Sequence, residues 1–197
     1  MRNAIKRIVF LTALIAVLPI WISFQIRRGL LGEDRALHGS SQALSLVPGL
    51  LGQYLRRAFM WLALDHCDRS VTIEFATIFS RHDARLDENV YIGPGCHLGS
   101  VHLERDVLLA AGVHIPSGPH THGTDDLTRP IREQPGALRT VRIGKGSWIG
   151  SAAIVMADVG PDSIVAAGAV VTTAIPGGVV AGGVPARILK RRCDPWD

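Results

Sequence analysis

Between Val141 and Val171 aliphatic residues return mostly at every sixth position, and small residues, often glycine, follow them. One inward side chain per short strand, with a tight corner every few residues, is the pattern of a solenoid built from stacked triangular turns. The same spacing reaches back towards Val71. Leu86, Ile92 and Leu98 lie six apart, and Leu103, Leu109 and Ile115 form a second register after a five-residue step. Gly93, Gly99, Ala110 and Pro116 follow four of these positions, where small or rigid residues suit a corner. Ile143, Ile149 and Val155 resume the series. Val159, Val165 and Val171 continue it after a four-residue step that a turn is expected to absorb.

Ahead of the coils the pattern is different. Ile8 to Phe24 holds 17 residues without a charge, bordered by Lys6, Arg7, Arg27 and Arg28. About 20 apolar residues normally cross a bilayer, with about 17 as the lower limit, so the segment is predicted to be a membrane anchor. Ile22-Ser23-Phe24 offers no small-x-small site for removal of a signal peptide. Positive charge at both ends does not choose an orientation. An inserted hairpin, or a helix lying in the interface, keeps both basic flanks on one side, and Pro19 is a candidate kink. A second apolar helix is predicted within Leu44 to Leu64 after the Pro48-Gly49 break, docked on the first segment, on lipid or on the coils. Residues 32 to 42 read as a polar connection. Three parts follow: an apolar helical membrane-association region over 1–66, a coil domain over 67–181 with a loop at 118–140, and a capping helix and tail over 182–197, the helix starting near Pro185.

The net charge is +4, and basic residues gather in two places, Arg2 to Arg35 and Lys190 to Arg192. Such clusters face anionic lipid or phosphate. Nucleic acid is not an expected partner, because no helical or aromatic recognition module accompanies them. Cys67, Cys96 and Cys193 form no CxxC pair, which fits a reducing compartment, with Cys67 and Cys96 expected as buried thiols.

The coil series is interrupted only by Gly118 to Thr140, a polar stretch that holds His120 and His122, two of the eight histidines. Loops on a rigid scaffold are common places for chemistry. An imidazole, with an ordinary pKa near 6.5, suits general acid–base work. Asp125 or Asp126 is a candidate to fix its tautomer, or else caps the loop. His97 and His102, five apart, invite comparison with a zinc site, but a zinc hydrolase needs three placed ligands and no third partner stands out.

Three stretches carry a resemblance: IGKGSWIG at Ile143 to Gly150, AAGAVVTTAIP at Ala166 to Pro176, and AGGVPARILKR at Ala181 to Arg191. With the coils and the loop, they make the chain similar to the hexapeptide-repeat acyltransferases, in the branch of sugar and polysaccharide O-acetyltransferases that includes the maltose and colanic acid enzymes. The resemblance covers roughly two thirds of the chain and implies an all-β fold, a left-handed parallel β-helix. It implies acetyl-CoA as co-substrate, in a groove near Trp148, Gly150, Ala167 and Gly168, with Arg187, Lys190 and Arg191 placed to pair with its phosphates. Backbone N–H groups at Ser151 or Ala152 are candidates to stabilise the tetrahedral intermediate. His122, with Asp125 three residues on, is the first choice for the catalytic base and His120 the second. A homotrimer is implied, and no metal.

The expected function is acetyl transfer to a saccharide hydroxyl. The apolar N-terminal segment departs from the soluble sugar enzymes and points to a membrane-associated polysaccharide or glycolipid acceptor, at the cytoplasmic face of a bacterial inner membrane and in contact with its lipid. The alternatives are N-acetylation of an amino sugar or small amine, and a membrane-anchored scaffold without activity.

Overall fold

A computed structural model describes residues 2–194 of the chain. Three helices, α1 (Arg2–Leu31), α2 (Glu33–Ser45) and α3 (Gly49–Ala63), lead into a three-faced parallel β-solenoid. The first face holds β1 (His66–Cys67), β4 (Arg85–Leu86), β7 (Val101–Leu103) and β10 (Val141–Ile143), and bridges at Val159 and Ile175 extend it. On the second lie β2 (Thr72–Ile73), β5 (Tyr91–Ile92), β8 (Leu108–Leu109), β11 (Trp148–Ile149), β13 (Ile164–Val165) and β15 (Val179–Gly182). The third carries β3 (Ile78–Phe79), β6 (His97–Leu98), β9 (His114–Ile115), β12 (Ile154–Val155) and β14 (Val170–Val171).

On the second and third faces inward apolar residues stack in register from coil to coil. Ile73, Ile92, Leu109, Ile149, Val165 and Ala181 make the column of the second face, and Phe79, Leu98, Ile115, Val155 and Val171 that of the third. All eleven are buried. Corners between the first and second faces place Asn89, Asp106, Gly146, Asp162 and Gly178 at positive φ. Asn, Asp and Gly tolerate that conformation best. The return from third to first face is the variable corner. It takes four residues from Val155 to Val159 and again from Val171 to Ile175, and at this same corner the 118–140 loop leaves the coils.

Residues 33–45 are helical rather than a polar connection, because Ala36, Leu37, Ser40, Ser41 and Leu44 form a narrow buried face. Serine is small enough to let the helix approach the first coil, and Ser41 Oγ accepts a hydrogen bond from Phe79 N at 2.8 Å. The deepest link is Arg56 of α3, only 1% exposed. Its Nε donates to Ile73 O (2.9 Å), and its Nη1 to Leu44 O (3.2 Å) and Val47 O (2.7 Å). One guanidinium thus joins the end of α2, the α2–α3 turn and the coil beneath.

α1 continues unbroken through Pro19. Phe10, Ala13, Val17 and Phe24 are buried, with Phe10 edge-on to Trp61 at 5.8 Å and Phe24 edge-on to Phe59 at 5.7 Å. The opposite face is a bare apolar stripe of Ile8, Leu11, Ile15, Ile22, Ile26 and Leu30, all at least half exposed. Arg7–Leu31 is long and apolar enough to cross a membrane.

The capping helix expected near Pro185 is instead a strand. Gly183 (φ 96°) and the cis Val184–Pro185 bond turn the chain back, and β16 (Arg187–Arg191) pairs antiparallel with β15. The last coil leaves an open sheet edge, and a returning strand satisfies its backbone groups where a helix would not.

Candidate functional site

The loop emerges through Ser117 and Gly118 and closes where Arg139 N donates to Ser117 O (2.9 Å). Its arms are cinched by Ala137 N to His120 O (2.7 Å) and by Gly123 N to Gln134 O (3.5 Å). Gly136 is needed there, since a Cβ would lie 2.2 Å from Thr121 O and 2.6 Å from His122 N. Gln134, 8% exposed, pins the tip: Nε2 donates to Asp126 O (2.7 Å) and Arg129 O (3.0 Å), and Oε1 accepts from Asp126 N (3.1 Å). The His122 backbone is therefore held by contacts within the loop.

His122 lines a cavity of about 410 Å³ together with Arg81, Ser117 and three more histidines, His38, His97 and His114. His97 stacks on His114 (5.2 Å between ring centres) and His38 of α2 stacks on His97 (6.0 Å). Burial, then the neighbouring rings of His114 and His38, lower the pKa of His97 and favour the neutral ring. Arg81 is held at the mouth by Asp34, at 2.5 Å. Burial alone would raise the Asp34 carboxyl, but hydrogen bonds from the His82 ring and N–H, with the charge of Arg81, hold it below the usual value.

His120 does not line this cavity. Asp125 makes no hydrogen bond or ion pair among the described residues, whereas Asp126 accepts from the N–H (2.9 Å) and hydroxyl (2.6 Å) of Thr128 and so caps the loop. Asp125 is thus not the orienting partner of either imidazole in this structure. His97 and His102 are on different faces, His97 in the ring stack and His102 paired with Asp87 at 3.1 Å, so their spacing of five does not bring them together.

The residues assigned to acetyl-CoA lie elsewhere. Trp148 points outward from the second face, 49% exposed, in line with Tyr91 and Leu108. Gly150, Ser151, Ala152, Ala167 and Gly168 form the corner between the second and third faces. Gly150 must be glycine, as a Cβ would lie 2.5 Å from Ala167 N. The Ala152 N–H is spent on Ala111 O (2.9 Å), which removes it as a donor to a developing oxyanion. Ser151 N–H makes no hydrogen bond among the described residues and remains available. Arg187, Lys190 and Arg191 lie on β16, beside that end of the second face. Lys190 Nζ donates to Asp194 O (3.0 Å) and Arg191 N to Asp194 Oδ2 (3.2 Å).

The histidine stack was missed in the sequence, yet its signal was present. His97 and His114 each precede an inward residue, Leu98 and Ile115, and stand 17 positions apart, the same step that separates those inward residues. Outward residues one coil apart must stack.

The family model described as "Hexapeptide repeat of succinyl-transferase" matches residues 140–173. A putative lipopolysaccharide biosynthesis O-acetyl transferase, WbbJ of Escherichia coli K12, is 30% identical over 125 residues, covering 57% of this chain and 63% of the relative. In three curated relatives the matched part spans between 26% and 63% of their length. A maltose O-acetyltransferase from Clostridium difficile 630 superposes with a TM-score of 0.67 at 20% identity, over 84% of this chain and 89% of that one. AntD of Bacillus cereus, an N-acyltransferase solved with coenzyme A and an amino-sugar nucleotide, gives 0.55 at 18% identity, over 63% and 71%. By repeat, coil register and superposition, the coil region of this chain is a hexapeptide-repeat β-helix.

Proposed function

We propose that the protein moves an acetyl group from acetyl-CoA to a hydroxyl of a saccharide, with His122 as the base. The observation that carries the proposal is the His122 cavity, walled by imidazoles, on a fold shared with sugar-modifying acyltransferases. WbbJ, by its name, adds the acyl class and lipopolysaccharide biosynthesis.

A hydroxyl is a weak nucleophile at neutral pH. Nε2 or Nδ1 of neutral His122 takes the hydroxyl proton while the oxygen forms its bond to the thioester carbonyl carbon. Charge gathers on the carbonyl oxygen, where the unused Ser151 N–H is the donor of choice. Collapse breaks the C–S bond, and the His122 imidazolium returns the proton to the departing thiolate. His120 is the second choice, and the cavity favours His122.

In one chain the histidine cavity and the Trp148 corner share no lining residue. A homotrimer would bring the loop of one copy to the corner of the next. Support comes from the exposed apolar residues at both places: Leu127 and Ile131 at the loop tip, and Tyr91, Leu108 and Trp148 on the second face. α1 is read as an interfacial helix, one face on α3 and the bare apolar stripe in the lipid of the cytoplasmic leaflet of a bacterial inner membrane, on the side that holds acetyl-CoA. The acceptor is then a lipid-linked or membrane-associated saccharide.

The test is mass analysis of membrane glycolipid and polysaccharide extracts after incubation with purified protein and acetyl-CoA, for wild type, H122A and H120A. A gain of one acetyl mass that disappears in H122A is the expected result. Loss in H120A alone would move the base, transfer only to amines would make the enzyme an N-acetyltransferase, and no release of CoA would leave a scaffold.

A further inference from the structure

Where α1, α3 and the first coil meet, a cavity of about 560 Å³ is lined by Arg7, Arg57 and Arg69 with Phe10, Tyr54 and Asp68. It is separate from the His122 cavity and plays no part in the proposed transfer. Among the described residues none of the three guanidinium groups has an acidic partner. The carboxylate in the wall, Asp68, is already engaged by the N–H (2.7 Å) and hydroxyl (2.5 Å) of Ser70. Arg57 Nε is buried without a hydrogen-bond partner. Buried donors without partners are costly, and a site that supplies one gains by binding an acceptor.

Two of the guanidinium groups are also ordered. Arg57 stands over Tyr54 (4.8 Å) and Phe10 (5.7 Å), and Arg69 over Trp61 (4.9 Å) and Phe10 (5.5 Å). Aromatic faces fix such groups without neutralising them. Planar guanidinium forks match phosphate oxygens. Ile8 and Leu11 of the bare stripe begin beside Arg7 and Phe10 on the same helix, so positive charge and exposed apolar surface adjoin. A free phosphate would satisfy the charge alone. An anionic amphiphile satisfies both.

We propose that this cavity binds the phosphate headgroup of an anionic membrane lipid, with Arg57, Arg69 and Arg7 as the donors and the acyl chains along the α1 stripe. The proposal rests on the reading of α1 as an interfacial helix, and adds to it a defined headgroup site.

The experiment is co-sedimentation of the full chain with phosphatidylcholine vesicles and with vesicles that also contain phosphatidylglycerol, for wild type, R57Q/R69Q and R187Q/R191Q. Wild type should prefer the anionic vesicles, and R57Q/R69Q should lose that preference, by about fivefold for each guanidinium removed, while still binding both vesicles. R187Q/R191Q should keep it. A preference unchanged in R57Q/R69Q overturns the headgroup site and leaves the interfacial helix standing. Failure of wild type to bind either vesicle overturns the interfacial helix, and the site with it. Saturable binding of inorganic phosphate in vesicle-free protein, lost in R57Q/R69Q and without any vesicle preference, assigns the cavity to a soluble phosphate and overturns the lipid. Should R57Q/R69Q lose its helical circular dichroism, R57K/R69K is read instead. It keeps charge without the planar fork and should weaken the preference, and an unchanged preference overturns the site.

Discussion

The His97 ring lies against the His114 ring at 5.2 Å and 18° from parallel, one coil apart on the third face of the solenoid. Two imidazolium ions do not share that geometry well. Because the folded pKa of His97 is depressed, the unfolded chain binds more protons in the window below its ordinary value. Stability is therefore expected to be full above about pH 6.5 and to fall as the pH drops below it. Denaturant titrations at several pH values check this, and His97→Gln should flatten the slope.

Gly136→Ala should damage catalysis more than folding. The new methyl has no room beside Thr121 O, and the loop must shift at His122. A displacement near 1 Å at a reacting group costs about 100-fold, so kcat should fall by that order while the thermal midpoint stays close to wild type.

For Arg56→Ala the balance is reversed. The change leaves the carbonyls of Leu44, Val47 and Ile73 without their donor in a buried site. A loss of about 3 kcal/mol is expected in chemical denaturation, with the helices released before the coils.

Trp148→Ala tests the assigned cofactor corner. The indole is half exposed, so truncation should leave stability almost unchanged. If it stacks on the donor, KM for acetyl-CoA rises by up to about tenfold with kcat retained.

The cysteines give a test of the packing. Burial pushes the Cys67 thiol up to about 12 and the Cys96 thiol to about 11, while Cys193 is exposed. Iodoacetamide should add one group to the native protein and three after unfolding, read by intact mass.

The inward register was legible residue by residue. Each position from Leu86 to Val171 named by the six-residue spacing is buried, because a triangular coil takes one apolar side chain per face and the chain cannot hide that period. α2 was not legible, since its buried face uses serines whose role is to hydrogen-bond the coil below. The end of the chain misled for a related reason. Arg187 to Arg191 has no strong strand preference, and the open edge of β15, which decides its conformation, exists only once the coils have formed. For the site, the loop and its histidines stood out by breaking the repeat. The cavity around them did not, because His38 arrives from a helix 59 residues before His97 and the pinning by Gln134 lies within a polar stretch with no period.

Arg56 and Ser41 fasten α2 and α3 to the first coil, so the body is a graduated post standing on its helices. The loop branches off at the third coil, and coils repeat at about 4.8 Å, which sets its root only about 10 Å above the coil that carries those helices. That height is counted in coils and not in linker length. If the proposed membrane-tethered acceptor is correct, it must present its hydroxyl within that reach of the surface beneath α1, and one whose reacting sugar stands further from its tether would pass over the site.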